Sequence, residues 1–316
     1  MREGLDAFTE GVGGSSTAAE LALVGAGGEP VDLWRTISSH GVADLPPNRI
    51  NDEQRTLEVT VSVARGKPRT AVISQGKPGY ARVEMHGGKA DTVLETVRHM
   101  LGLDADLSPF YELVADDPDL AWVANGAGRM LRSPTVFEEV VKTICTTNCA
   151  WSGTVRMVSS LVEQLGTPSA GASPGPFGRA FPTPEAMAEA GLDFYRDIAR
   201  AGYRGAYLRE LATSVADGEL DIESFAAGPD ELPDEELAER LLALPGVGPY
   251  ATAHIMMLLG RYSRLVLDSW TRPKYLSVSG ARSAKDSTIE RRFRRYGPYA
   301  GLAFWLYLTR DWVDEA

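Results

Sequence analysis

The stretch Leu244-Pro245-Gly246-Val247-Gly248-Pro249-Tyr250 predicts two helices joined by a tight turn. An acidic helix start precedes it at Pro233-Asp234-Glu235-Glu236. Gly246 and Gly248 would supply backbone freedom in the turn, and proline is favoured in the first turn of the helix that follows. Such a turn directs unpaired N–H groups and the positive end of a helix at one place, which suits a phosphate. An ordinary helix connection with a glycine cap is the alternative.

The composition is that of a globular protein large enough for two domains. The chain has 316 residues, of which 44% are hydrophobic and 24% are charged. It contains no run of eighteen apolar residues and begins without a basic, apolar leader, so we expect neither a membrane span nor a secretory signal. A cytoplasmic protein that acts as a monomer, without a membrane partner, is the expectation.

Charge and cysteine content exclude some kinds of site. The net charge of -11 argues against a general nucleic-acid coat protein. Residues 261–295 nevertheless carry ten Lys or Arg against three acids, a local charge of +7 that can form a cationic face. Cys145 and Cys149, predicted to share one helix face, are too few for an iron–sulfur cluster or an all-cysteine zinc site. We therefore expect no metal or cofactor.

The pattern of the chain predicts an α+β fold with two domains. Residues 57–63 alternate between apolar and polar side chains, as in a half-buried strand. Turn signals separate them from residues 69–74 and 80–85, so the sequence predicts three antiparallel strands. The predicted helices cover residues 136–165, 185–190, 207–216, the hairpin pair and 299–312, with a surface loop at 166–184. The expected division is a flexible N-terminal arm at 1–30, a mixed α/β domain at 31–128 and a helical domain at 129–316.

Four segments in order resemble the helix–hairpin–helix DNA glycosylase superfamily, in its 8-oxoguanine and 3-methyladenine (alkyladenine) branch. They are Ile144-Cys145-Thr146-Thr147-Asn148, Gly202-Tyr203-Arg204, the hairpin with Asp268, and Tyr296-Gly297-Pro298-Tyr299-Ala300-Gly301. The resemblance covers roughly residues 31–312. It implies a small antiparallel-sheet domain packed on a mainly helical domain, and excision of a damaged, alkylated or oxidised base from double-stranded DNA in base excision repair.

The resemblance implies a catalytic pair. Asp268 follows the apolar Leu265-Val266-Leu267, and its carboxylate would orient water and stabilise a cation-like sugar. An N-cap for a helix beginning at Ser269 is the alternative, and is compatible with catalysis. Tyr250 stands where bifunctional members carry a lysine nucleophile, and a phenol cannot form a Schiff base with the sugar. The expected enzyme is therefore monofunctional and leaves an abasic site.

The resemblance also assigns DNA contacts. Gly246, Val247 and Gly248 would hold a phosphate, and the turn carbonyls can hold a monovalent cation. Tyr203 would be the wedge that keeps the flipped nucleotide out, while Arg204 and Asn148 would fill the space opposite the vacated base. A surface turn is the alternative for Tyr203 and Arg204. A helix cap or an interior amide is the alternative for Asn148.

The base pocket departs from the 8-oxoguanine pattern. His254, Phe304 and Leu308 stand at pocket positions, and Gly153 replaces the family's second arginine for the opposite cytosine. A segment that reads the oxidised purine has no match near the N-terminus. An aromatic, apolar pocket suits an alkylated, electron-poor base. For His254 a satisfied core position is the alternative.

A different class of protein, a lesion sensor with the glycosylase fold and no catalysis, is the rival hypothesis. The acidic net charge and the altered pocket motivate it.

Overall fold

The computed structural model of the protein describes residues 16–63, 66–86, 91–170 and 175–313. Strands in these residues are β1 (Ser16–Ala22), β2 (Arg49–Asn51), β3 (Thr56–Val61), β4 (Arg69–Gln75) and β5 (Tyr80–His86). They form one antiparallel sheet in the order β1-β5-β4-β3-β2. The meander predicted for the three central strands is confirmed.

Alternating apolar residues hold the sheet in register. Leu57 of β3 lies opposite Ile73 of β4, which lies opposite Val83 of β5. All three are buried in one core with Val93 and Val97 of the first long helix. Since side chains alternate between the faces of a strand, a shift by one residue would expose this set, so the core fixes the register.

Part of the segment predicted to be a flexible N-terminal arm belongs to the sheet. Residues 16–22 form β1, which pairs with β5 from Ser16 opposite His86 to Ala22 opposite Tyr80. Its small residues lack the β-branched and aromatic enrichment that indicates a strand. The hydrogen bonds to β5 therefore stabilise a strand that the sequence pattern does not predict. Residues 1–15 lie outside the described residues.

Helices occupy most of the rest of the described chain. Their bounds are α1 (Leu33–Ile37), α2 (Asp91–Met100), α3 (Ser108–Val114), α4 (Val136–Thr146), α5 (Trp151–Leu165), α6 (Pro184–Glu189), α7 (Arg204–Ala216), α8 (Asp234–Leu242), α9 (Pro249–Leu258), α10 (Thr271–Ser279), α11 (Asp286–Phe293) and α12 (Ala300–Thr309). Residues 166–170 and 175–183 lie between α5 and α6, and Ala180 and Phe181 of this predicted surface loop are buried instead of exposed. Among the described residues, no helix is both long and apolar enough to cross a membrane.

The prediction of one helix over residues 136–165 is wrong at the centre of that range. The structure has two helices, α4 and α5, separated by residues 147–150. The Oγ1 atoms of Thr146 and Thr147 donate to the carbonyls of Thr143 (2.6 Å) and Ile144 (2.8 Å), and Asn148 adopts a left-handed φ of 43°. Short polar side chains that satisfy local backbone groups end a helix in this way.

The break separates the two cysteines, which were predicted to share a helix face. Cys145 is buried at the end of α4, where burial raises the pKa of its thiol to about 12. Cys149 is half-buried in the break.

The described residues pack into three hydrophobic cores. The first lies against the sheet, the second joins helices α4, α5, α7 and α8, and the third joins α10, α11 and α12. Residues 107–130 contribute to the third core, so the predicted boundary at 128/129 cuts through a packed unit. Helix α9 contributes to both the second and the third core, which places its N-terminus where the two meet.

Candidate functional site

The turn between α8 and α9 depends on one glycine. Gly246 has a left-handed φ of 79°, and a Cβ built there would lie 2.8 Å from Cδ2 of Tyr207. Gly248 has an extended φ of -114°, and a Cβ there would meet no atom within 4 Å. The expectation that both glycines are required for backbone freedom is therefore wrong for Gly248. Pro249 begins α9, as predicted.

The turn presents unpaired donors at the start of α9. Within the described chain, the N–H groups of Gly246, Gly248, Tyr250 and Ala251 have no hydrogen-bond acceptor. The N–H of Val247 is different, because it donates to the Leu244 carbonyl at 3.2 Å and its side chain is buried. The expectation that Val247 contacts DNA through its backbone is corrected accordingly. The remaining N–H groups and the helix dipole suit an anion.

One oxygen of Asp268 caps a helix. Oδ1 accepts from the N–H groups of Trp270 (2.8 Å) and Thr271 (2.6 Å), while Thr271 Oγ1 accepts from the Asp268 N–H at 2.8 Å. This reciprocal pattern bears out the capping alternative, with the helix beginning at Thr271 rather than Ser269. The second oxygen, Oδ2, accepts no hydrogen bond from the described residues, so it is available to another group.

Tyr250 lies between the second and third cores. Its hydroxyl is 3.2 Å from Thr146 Oγ1 at the end of α4. Burial raises the pKa of the phenol, and the negative charge of Asp268 raises it further. Tyr250 and Leu267, the residue before Asp268, line one cleft, and the raised pKa keeps the phenol in its neutral form.

His254 is one helical turn behind Tyr250. Its Nδ1 is 3.4 Å from Thr143 Oγ1, and its ring centre is 5.9 Å from that of Tyr250 and 6.1 Å from that of His40. Burial lowers the pKa of His254 to about 4 and that of His40 to about 3. Both rings are therefore neutral, and the core alternative for His254 is borne out by its burial.

Phe304 and Leu308 do not line a cleft. Both are fully buried in the third core, where the ring of Phe304 is 5.2 Å from that of Phe293. Helix α12 is apolar on all sides, and such a helix is buried rather than exposed at a pocket. The expectation that these two residues face the base therefore disagrees with their position in the structure.

A cleft of about 510 Å³ opens beside Pro249 and Tyr250. Its charged lining includes Arg272, which donates to Asp286 at 2.8 and 2.9 Å, and Arg294. The net positive charge of residues 261–295 predicts a cationic face, but the sequence does not show which of these Lys and Arg side chains pair with a carboxylate. Within the described chain, those with no carboxylate partner are Arg282, Lys285, Arg291 and Arg294.

Asn148 and Tyr203 lie together at the surface. The Asn148 amide donates to the Tyr203 hydroxyl at 3.3 Å, and Tyr203 is 54% exposed. Arg204 is only 7% exposed, because its guanidinium donates to the Thr147 carbonyl (2.9 Å from Nε) and lies 4.6 Å from the Tyr203 ring. The expectation that Arg204 enters the space opposite a vacated base is therefore corrected, since its donors are used inside the protein.

Tyr207 connects this surface to the hairpin. Its ring centre is 5.9 Å from that of Tyr203, and its side chain packs against Gly246. The surface around Asn148 and the turn with unpaired N–H groups are thus neighbours across one aromatic contact. Among the described residues, no group of three or more His, Cys, Asp or Glu side chains is arranged to hold a metal ion.

Comparisons with known proteins identify the fold. No protein-family model matches the chain, and no curated protein matches it by sequence. The 3-methyladenine DNA-glycosylase from Archaeoglobus fulgidus is similar in structure, with a TM-score of 0.70 and 18% identity over 93% of this chain and 99% of that one.

Two structures of the Clostridium acetobutylicum 8-oxoguanine glycosylase/lyase are also similar. The apo form matches with a TM-score of 0.68 and 20% identity over 89% of this chain and 94% of its own. The complex with dsDNA containing cytosine opposite 8-oxoG has a TM-score of 0.68 and 21% identity over 89% of this chain and 92% of its own. The chain therefore has the fold of the helix–hairpin–helix DNA glycosylases.

Proposed function

We propose that the protein is a monofunctional DNA glycosylase, which hydrolyses the N-glycosidic bond of a damaged base in double-stranded DNA and leaves an abasic site. The observation that carries the proposal is a cleft lined by Tyr250 and by Leu267, the residue before Asp268, beside a turn with unpaired N–H groups. We expect the enzyme to act as a monomer in the compartment that holds the genomic DNA.

The turn is the proposed anchor for the DNA backbone. A phosphate can accept hydrogen bonds from Gly248, Tyr250 and Ala251, where the positive end of α9 favours negative charge. Arg294, in the cleft beside Pro249, adds a cation that is free of a carboxylate partner within the described chain. The turn carbonyls are also the predicted site of a monovalent cation. One of them, the Leu244 carbonyl, already accepts the Val247 N–H.

Access to the base requires flipping. A base inside a duplex cannot reach a carboxylate, and extruding the nucleotide costs a few kcal/mol. Tyr203 is exposed and fixed on both sides, by the Asn148 amide and by the Arg204 guanidinium. A rigid, exposed aromatic side chain can take the place of the departed base in the stack.

Asp268 is the proposed catalytic group. Its Oδ1 is held by two backbone N–H groups, which fix the carboxylate and leave Oδ2 to orient water or to stabilise the cation-like sugar. Tyr250 cannot supply a covalent route, because a phenol forms no Schiff base and the raised pKa keeps it protonated. Hydrolysis by water is the chemistry that remains.

The substrate is proposed from the same class as those of the similar structures, an alkylated or an oxidised base. Duplexes that carry alkylated, oxidised and deaminated bases, with strand scission scored before and after alkali, test the proposal. We expect base release whose nick requires alkali. Nicking by β-elimination without alkali would contradict the role given to Tyr250.

The substitution Asp268→Asn separates this proposal from a lesion sensor. The full burial of Phe304 and Leu308 favours the sensor, since the predicted pocket residues do not face a cleft. If the wild type excises a base and Asp268→Asn loses most of that activity while still binding DNA, the enzyme is supported. If neither protein cuts any duplex and both bind equally, the sensor is correct.

A further inference from the structure

One buried carboxylate of α4 has no cation beside it. In the described chain three carboxylate side chains are at most 6% exposed, those of Glu29, Glu138 and Glu139. Glu29 pairs with Arg129. Glu138 pairs with Lys142 at 2.6 Å. Glu139 forms no ion pair with a described residue, and since buried charges in proteins are normally paired, it lacks a partner that the other two have.

The protein uses one of the two oxygens of Glu139. Its Oε1 accepts the N–H of Ser133, whereas Oε2 is buried and has no hydrogen-bond partner among the described residues. Burial raises the pKa of Glu139 to about 7, as expected for a carboxylate without a compensating cation. A cation at Oε2 would stabilise the ionised form.

Glu139 lines a cleft of about 130 Å³ at the beginning of α4. The volume is that of about four water molecules, at roughly 30 Å³ each. The apolar residues in its walls are Pro134, Val136, Ala226 and Leu259. The cleft therefore suits a small ligand with a charged head and a short apolar part.

The N–H groups of the first turn of α4 are already satisfied. Those of residues 136 and 137 donate to the Glu223 carboxylate at 2.9 and 3.0 Å. Those of residues 138 and 139 donate to the side chain and the carbonyl of Thr135, at 3.2 and 3.3 Å. The positive end of the helix thus does not direct these donors at an anion in the cleft.

The charges around the cleft favour a cation. Arg132 and His99 line it, but Asp104 pairs with Arg132 at 3.0 Å and lies 3.7 Å from His99 Nδ1. The carboxylates of Glu139 and Glu223 also line the cleft, and neither pairs with a cation of the described chain. A cleft lined by carboxylates raises the local concentration of cations.

The single free oxygen decides the class of cation. Among the described residues no group of three or more metal-ligating side chains is arranged to hold an ion, and a divalent metal needs several such oxygens. A guanidinium binds a carboxylate best through two parallel N–H donors, which need both oxygens, and Oε1 is already used. A primary ammonium is a compact charge that one oxygen can bind.

We propose that this cleft binds a small primary alkylammonium ion, whose charge contacts Glu139 Oε2 and whose alkyl chain packs on the apolar walls. The cleft is separate from the proposed DNA site. It lies at the start of α4, ten residues before Thr146, and a rise of about 1.5 Å per residue separates the two ends by about 15 Å. The inference does not rest on the proposed function, and either can fail without the other.

The test is a calorimetric titration of the full-length protein with n-propylammonium chloride at constant ionic strength. We expect saturable binding to the wild type. Tetramethylammonium chloride has the same charge and no N–H donor, so it should give no binding heat. Glu139→Gln keeps the shape of the side chain but removes its charge, and should raise the Kd about 10- to 150-fold, as for loss of a hydrogen bond to a charged group.

Two further variants separate the cleft from general effects of charge and folding. Glu112→Gln removes an exposed carboxylate from α3 and should leave the Kd unchanged. Ala226→Leu places a larger apolar side chain at an exposed position in the cleft wall and should also abolish binding. This variant tests the site even if Glu139→Gln does not fold.

Three results would each overturn the inference. The first is that the wild type does not bind n-propylammonium at millimolar concentrations. The second is that Glu139→Gln or Ala226→Leu binds it with an unchanged Kd. The third is that tetramethylammonium binds as well as n-propylammonium, since the contact would then require charge alone and no N–H donor at Oε2.

Discussion

Replacing Gly246 by alanine tests whether the turn depends on backbone conformation and close packing together. An alanine at φ 79° is in the left-handed region, which costs about 1–2 kcal/mol. Its Cβ would lie 2.8 Å from Tyr207 Cδ2, and displacing a packed ring costs about 1–3 kcal/mol. The unfolded chain loses about 0.4–1 kcal/mol of entropy relative to glycine, which offsets part of this cost. We expect Gly246→Ala to lower the free energy of unfolding by about 1–5 kcal/mol.

Gly248→Ala is the matched control two residues away. Its φ of -114° suits any residue and its Cβ would meet no atom within 4 Å, so the entropic gain and the poorer helix cap should nearly cancel. Urea unfolding of both variants and the wild type measures the difference. Equal losses in the two variants, or no loss in Gly246→Ala, would refute the reasoning. Displacement of Tyr207 should also raise the Kd for DNA in Gly246→Ala, because Tyr207 supports Tyr203.

Three further outcomes are expected. Burial lowers the pKa of His254 from 6.5 to about 4, so between these pH values the unfolded chain binds a proton that the folded chain does not, and stability is lost as the pH falls from 6.5 to 4. His254→Gln should therefore flatten the slope of unfolding free energy against pH in this range by up to about 1.4 kcal/mol per unit. Tyr250→Lys should introduce nicking without alkali and trapping of a covalent adduct by borohydride, and we expect the wild type to give neither. Arg294→Gln should reduce the slope of log Kd against log salt by about 0.9, while Arg295→Gln, whose carboxylate partner already neutralises it, should change the slope little.

The sequence predicts the elements whose periodicity or turn residues are strong. The central strands follow from alternation, and the start of α9 follows from Pro249 after a glycine turn. Strand β1 could not be found this way, because its small residues become a strand only when β5 lies beside them. The interruption between α4 and α5 was missed for a related reason. Thr146 and Thr147 end α4 through side-chain hydrogen bonds to its carbonyls, and Asn148 through a left-handed φ, and periodicity reports neither.

In the candidate site, too, local structure can be predicted from the sequence and contacts between distant segments cannot. Asp268, Tyr250 and Asn148 each lie at a helix end, where hydrogen bonds fix their side chains, and the roles that the motifs give them stay predictions. Arg204 was misjudged, since a motif does not show that the Thr147 carbonyl already binds a guanidinium.

The position of β1 at the margin of the sheet has a practical consequence for shortened forms of the protein. Deleting residues up to 30 as a dispensable arm would remove β1 and leave the backbone of Tyr80–His86 without its partner. An uncovered strand margin is a template for pairing with another chain. Such a shortened protein would self-associate through β5, and its loss of solubility would be mistaken for a defect of the distant hairpin.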